Sequence, residues 1–239
     1  FAGLTNKLLG GGAASVCVAF EGMDRYFPKK KIHLTGNPVR NDLLELNTSQ
    51  FQSLKHFGFS ADKPTILVLG GSLGARTINE AVAEALPEWK EKGYQLIWQT
   101  GKAWAGKAAA LLEEQEAGTM VTMPFISEMN LAYTAADVVV SRAGALSLAE
   151  ICLTGKASVL IPSPNVAEDH QTKNAESLVN HNAAIMLRDR DAVKKLAAAV
   201  EEILSNSGEA ERIGMAAHAL AKPDAGEKIV DQILEIQKR

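Results

Sequence analysis

Two short glycine-bearing stretches carry the residues best suited to chemistry. Gly70-Gly71-Ser72-Leu73-Gly74-Ala75 follows an apolar run and precedes an amphipathic one. Glycines let backbone N–H groups approach an anion closely. A helix opening there adds partial positive charge, and the Ser72 hydroxyl can donate to a phosphate oxygen. Ser141-Arg142-Ala143-Gly144-Ala145-Leu146-Ser147 repeats the arrangement and opens a helix that carries Glu150. Two such helix N-termini at strand carboxyl ends can face one ligand in the crevice of an open sheet, and a diphosphate between them is the natural occupant.

The loops exclude two common nucleotide classes. A dinucleotide site needs G-x-G-x-x-G and an acid at the end of the next strand. Here the spacing departs, and that strand ends Trp98-Gln99-Thr100. A P-loop ends in G-K-[ST], whereas this one ends Gly74-Ala75-Arg76.

Three further features bear on a sugar nucleotide. The Glu150 carboxylate can accept two hydrogen bonds, which matches the vicinal diol of a ribose. An acid favoured by the helix dipole explains the same residue equally well. Gln171 and Asn174 are three apart and share a helical face, and their amides suit sugar hydroxyls. The composition of Pro162–Ala175 alone favours a solvated loop, with Asp169 or Thr172 capping a helix. Asp189-Arg190-Asp191 has the form of a metal–diphosphate motif, but its place before a helix favours Asp191 as an N-cap.

The elements that must position these groups alternate regularly. Strand-like runs at 65–69, 95–99, 120–123, 137–140, 158–161 and 184–187 are separated by helical stretches at 75–86, 106–117, 129–135, 145–153 and 174–180. Such alternation predicts βαβ units and a parallel sheet. Val138-Val139-Val140 and Val159-Leu160-Ile161 are continuously apolar, as strands covered on both faces require. Helices follow at 192–204, 209–221 and 225–237, with Pro223 ending the second. Residues 1–38 offer a helix end at 4–9, strands at 14–20 and 32–34, and too little apolar surface for a core.

With 46 % hydrophobic and 22 % charged residues, the 239-residue chain has the composition of a globular protein with a real core. Its formal net charge of −3 gives no field that favours nucleic acid. Cys17 and Cys152 each lie among apolar residues and read as buried, reduced thiols. No apolar run reaches the ~18–20 residues a membrane-spanning helix needs. His33, His56, His181 and His218 show no ligand spacing, and the three tryptophans read as core or rim packing.

Together, Ala2-Gly3-Leu4-Thr5-Asn6-Lys7, Gly36-Asn37-Pro38-Val39-Arg40, Gly70–Ala75, Ala136–Glu150 and Pro162–Asn174 resemble the MurG family. These bacterial cell-wall transferases add N-acetylglucosamine, from UDP-N-acetylglucosamine, to lipid I. The likeness runs over nearly the whole chain. It implies an α/β GT-B architecture, two Rossmann-like domains with parallel sheets flanked by helices and a cleft between them. Residues 1–38 would be a remnant of the N-terminal acceptor domain, 39–222 the C-terminal donor-binding domain, and 223–239 a helix crossing back.

The resemblance also implies roles. Arg40 and Ser72 would lie near the diphosphate, and the backbone of Ile126 would meet the uracil edge. Gly144, Ala145, Leu146, Ser147, Leu148 and Ala149 would wrap the nucleotide. Glu150 would hold the ribose hydroxyls, and Gln171 and Asn174 would read those of N-acetylglucosamine. UDP-N-acetylglucosamine is then a substrate, and neither a cofactor nor a metal is expected. Lipid I would bind through the N-terminal domain, at the cytoplasmic face of the inner membrane, as a peripheral association. The family's first glycine-rich loop and its histidine have no counterpart here, so no catalytic residue is expected in this chain. It should bind donor without catalysing transfer. Leu73 stands where the family often has Gln, a change that a backbone-based phosphate site tolerates. A UDP-N-acetylglucosamine 2-epimerase, a non-catalytic donor-binding subunit and an NAD-binding module are the rival readings.

Overall fold

The computed structural model describes residues 2–45, 47–71, 74–166, 169–206 and 208–238. The chain begins with α1 (Leu4–Gly10), then β1 (Val16–Val18) and β2 (Ile32–Leu34), paired in parallel. Ala2, Val18 and Phe27 are the buried centre of this small unit. β1 is shorter than the apolar run at 14–20 predicted, because its ladder extends only as far as β2 runs beside it. The same one-sided setting corrects the reading of Cys17. Alternation along β1 turns Val18 inward and leaves Cys17 exposed. Cys152 is buried as expected, and burial pushes its thiol up to about 12.

Two short helices follow that the hydrophobic periodicity did not reveal, α2 (Asn41–Leu44) and α3 (Gln50–His56). α3 opens on a capping box. The Ser49 hydroxyl accepts from the Gln52 N–H at 3.3 Å, and the Gln52 side chain accepts from the Ser49 N–H at 3.2 Å. Ser49-x-x-Gln52 was the available signal. Leu43 and Leu54 anchor the two helices on the main body.

Strands and helices then alternate as β3 (Thr65–Leu69), α4 (Arg76–Glu91), β4 (Gln95–Gln99), α5 (Ala105–Glu114), β5 (Met120–Met123), α6 (Met129–Ala135) and β6 (Val138–Ser141). They continue as α7 (Ala145–Thr154), β7 (Ala157–Leu160), α8 (His170–Val179) and β8 (Ile185–Met186). Three helices close the chain, α9 (Ala192–Ser205), α10 (Glu209–His218) and α11 (Ala225–Gln237). Among the described residues β3 to β8 form one sheet in the order β5-β4-β3-β6-β7-β8, with every pairing parallel.

The two-residue period of a strand explains the layers. Ile66, Val68, Leu96, Trp98, Val138, Val140 and Val159 face a core closed by α4, α5 and α9. Leu67, Leu69, Ile97, Val139 and Leu160 face the opposite core, closed by α6, α7 and α8. The continuous apolar runs thus serve both faces. α4 continues through Pro87 to Glu91, past the Leu86 at which the sequence pattern ends. A proline removes one helical N–H bond, and the fully buried Trp89 holds the turn beyond it.

α11 buries Ala225 alone among its residues and leaves Val230, Ile233, Leu234 and Ile236 exposed. Gln232 Oε1 accepts from Ser15 Oγ at 3.3 Å, so the helix runs beside the N-terminal unit. Gly36 has φ +89°, and a Cβ there would stand 2.5 Å from Lys222 Cβ. Only glycine lets the linker lie this close to the start of α11.

Candidate functional site

The sheet order places a crevice. From β3 the chain steps outward through β4 and β5, then returns to lay β6, β7 and β8 on the other side. Ligands of open parallel sheets bind beyond the strand carboxyl ends, where the order reverses. Here that point lies between β3 and β6, and Leu69 is in register with Ser141. Both glycine loops leave the sheet at this level, one into α4 and the other into α7, on opposite faces.

Ser72 and Leu73 lie outside the described residues. The rest of the first loop is tightly built. The Gly70 N–H donates to the Gln99 carbonyl at 3.0 Å. Gly74 has φ +81°, and a Cβ there would meet the Thr100 carbonyl oxygen at 2.7 Å. No side chain caps α4 at Ala75, so the first N–H groups of α4 are left without helical partners.

The second loop is similar. Gly144 holds the N-cap of α7 with extended backbone, and no side chain caps the helix. The first helical bond runs from the Leu148 N–H to the Gly144 carbonyl at 3.0 Å. The preceding N–H groups therefore point out of the helix end. Arg142 fastens the loop. Its guanidinium donates to the carbonyls of Ile161 and Pro162 at 3.0 and 3.3 Å and pairs with Asp189. The other Asp189 oxygen accepts from the Thr77 hydroxyl at 2.9 Å. Asp191 does take the N-cap position of α9, but its side chain makes no capping bond.

Glu150 sits one and a half turns along α7 and is 6 % exposed. Its carboxylate lies 3.4 Å from Arg40 Nε and accepts from the Tyr133 hydroxyl at 3.2 Å. Burial pushes the Glu150 carboxyl above its ordinary range, and Arg40 and Tyr133 draw it back only in part. The same burial, beside the Glu150 charge, raises the Tyr133 phenol. The counter-charge of this buried carboxylate is an exposed arginine, which makes the pair a candidate for ligand binding.

The other sequence-predicted residues divide. Asn174 is buried, donates to the Ala143 carbonyl at 3.1 Å and ties α8 to the second loop. Gln171 accepts from the Ser163 N–H at 2.9 Å. The Ile126 N–H donates to the Gln99 side chain at 3.1 Å. Gly144, Ala145, Leu146, Ser147 and Ala149 are at least partly accessible. Leu148 is only 1 % exposed, so its side chain serves the core. Asp169 takes the N-cap position of α8, where it accepts from the Thr172 hydroxyl at 2.6 Å. A cleft of about 630 Å³ joins Ala145, His170 and Asn174 to Asn6, Asn37 and the β1 residues. Cys17 lines it from the N-terminal side.

Sequence reasoning missed Tyr133, Gln99, Thr77 and Asp189 as partners of this site. None stands in a recognisable spacing with the groups it touches, and only the fold brings them together.

The profile of the glycosyltransferase family 28 C-terminal domain matches residues 65–232. A UDP-N-acetylglucosamine--N-acetylmuramyl-(pentapeptide) pyrophosphoryl-undecaprenol N-acetylglucosamine transferase of Porphyromonas gingivalis is 46 % identical over 99 % of the chain and 62 % of its own length. The protein of the same description from Phocaeicola vulgatus is 52 % identical over 82 % of the chain and 52 % of its own length. Among solved structures, MurG of Acinetobacter baumannii superposes with a TM-score of 0.79 at 31 % identity, over 98 % of the chain and 64 % of that protein. The chain therefore spans between half and two thirds of the length of these relatives.

Proposed function

The chain belongs to the glycosyltransferase family 28 C-terminal domain family, and from that premise we propose that it is the donor-binding part of a lipid I N-acetylglucosaminyltransferase. Its sheet and helices form a Rossmann-like domain of the GT-B type. On this reading UDP-N-acetylglucosamine lies across the crevice between β3 and β6. The observation that carries it is the pair of uncapped helix N-termini at the carboxyl ends of adjacent strands, with the buried Glu150 on the second helix paired to the exposed Arg40.

The chemistry follows from charge. In the whole enzyme an acceptor hydroxyl on lipid I attacks the anomeric carbon in line, with inversion, and UDP departs. Negative charge grows on the diphosphate as the bond breaks. The N–H groups opening α4 and α7 are fixed in advance at that place and stabilise it. Arg40 adds a full positive charge once the ribose hydroxyls replace it on Glu150. Ser72 would donate to the same diphosphate. These groups supply the stabilisation without a metal or a cofactor, so turnover should survive a chelator.

The uracil edge would use the Ile126 carbonyl, or displace Gln99 from its N–H. Gln171 and Asn174 would turn from backbone groups to sugar hydroxyls. The general base and the acceptor surface belong, on this reading, to the part of the relatives that the chain does not span. The N-terminal unit of residues 1–38 and α11 would join that part. Among the described residues no helix is long and apolar enough to cross a membrane. On the proposed reading, contact with lipid I is peripheral, at the cytoplasmic face.

Calorimetric titration with UDP-N-acetylglucosamine, UDP-N-acetylgalactosamine and NAD tests the reading. Binding of the first, weaker binding of the second and none of the third is expected. Tight binding of NAD, or equal binding of both sugar nucleotides, would overturn it.

A further inference from the structure

The acidic motif at 189–191 has a use that neither a metal site nor a helix cap describes. Asp189 is 19 % exposed in its side chain, as is Arg142. Both carboxylate oxygens are engaged, one by Arg142 and the other by the Thr77 hydroxyl at 2.9 Å. Thr77 is the second residue of α4. Arg142 stands two residues before the N-cap of α7. A single side chain, carried on the segment between β8 and α9, is thus bonded to the first turn of α4 and to the loop that leads into α7.

We propose that Asp189 is a positioning residue that sets the gap between the two helix N-termini and thereby the fit of the donor diphosphate. The inference rests on the donor-binding reading above and adds a residue to that same site. α4 and α7 lie on opposite faces of the sheet and belong to different cores. Their first turns have no core residue in common that could fix one against the other. The Thr77–Asp189–Arg142 bridge supplies that link at the level of the ligand. Arg142 extends it to the carbonyls of Ile161 and Pro162, so the carboxyl ends of β6 and β7 are held in the same frame. Charge-assisted bonds of this kind are short and directional, which suits them to fixing a distance. Asp189 also keeps the guanidinium neutralised in the donor-free protein, so that the helix ends and Arg40 remain the groups that meet the phosphates.

The test compares UDP with uridine, which shares the base and ribose but lacks the diphosphate. Asp189→Ala is expected to weaken UDP about tenfold and to leave uridine within about twofold. Thr77→Val should do the same more weakly, and Thr77→Ser should restore the wild-type ratio. A residue that merely stabilises the fold would lower both affinities together. Equal loss on the two ligands, or unchanged UDP affinity, would overturn the proposal while leaving the donor reading intact. A wild-type protein that binds neither ligand would overturn both. If Asp189→Ala does not fold, Thr77→Val and Asp189→Asn carry the same comparison, and a uridine-to-UDP ratio unchanged in both would equally overturn it.

Discussion

The two ends of the main sheet both bury charge, yet they use it differently. At the amino ends of the strands, Asp137 accepts from the Thr65 N–H at 2.7 Å, and Lys156 donates to the Ala136 carbonyl at 2.7 Å. Gln95 joins the Ser60 and Lys63 carbonyls to the start of β4 at 2.9 and 3.1 Å. Burial raises the Asp137 carboxyl and lowers the Lys156 ammonium. At the carboxyl ends, Glu150 is raised by burial in the same way. A perturbed group therefore does not by itself mark a site. The amino-end groups are bonded chiefly to backbone. Glu150 is held by two side chains, the exposed Arg40 and the buried Tyr133.

That contrast can be broken or sharpened by measurement. Glu150→Ala should have the largest effect, because two hydrogen bonds to a charged acceptor are lost. UDP and uridine affinity should each fall about 100-fold, roughly 3 kcal/mol, in calorimetry. A variant that binds uridine like the wild type would remove the ribose from Glu150.

Asp137→Ala should do the reverse. It leaves the Thr65 N–H unpaired and Lys156 without its neighbouring charge, at a cost of about 2 kcal/mol. Denaturant unfolding should register that loss, while UDP affinity stays unchanged. A fall in UDP affinity without a fall in stability would erase the distinction between the two ends.

Acid should separate them further. The ribose hydroxyls need the ionised carboxylate, and the free Glu150 carboxyl titrates above the usual carboxylate range. Uridine affinity should fall on acidification through that raised value, approaching about tenfold per pH unit below it. Stability runs the other way. A raised carboxyl contributes most below the unfolded value, ~4.3, and its contribution is lost as pH rises through the folded one. The stability of the wild type relative to Glu150→Gln should therefore decline from pH 4 towards neutrality, and a flat difference would refute the assignment.

Tyr133→Phe should be the mildest change. One hydroxyl leaves Glu150, worth about 1 kcal/mol, and uridine affinity should fall several-fold with Arg40 still in place. An unchanged affinity would mean that Tyr133 supports the core alone.

The legible part of this protein was the repeating part. Strands β3, β4 and β5 and helices α6 and α11 fall at the residues the periodicity predicts, because alternation and amphipathicity are local properties of the chain. Helix ends were harder. The helical stretch predicted to end at 86 runs on through Pro87 to Glu91, where the buried Trp89 packs in the core. α2 and α3 were missed because they are short and take their stability from Leu43 and Leu54 meeting the core. Cys17 was misread because its apolar neighbours suggest a covered strand, while β1 has one covered face.

The candidate site divides along the same line. Glycine loops can be read from sequence, since backbone geometry confines certain positions to glycine, as at Gly74. The family resemblance rests on such motifs and on their order. Which side chains face Glu150, and which residue spans the starts of α4 and α7, only tertiary structure decided. Arg40 and Glu150 are 110 positions apart by their numbering, and Thr77 and Asp189 are separated by 112. Contacts over such separations depend on the order in which the strands assemble, and that order is settled by two cores closing on opposite faces of one sheet.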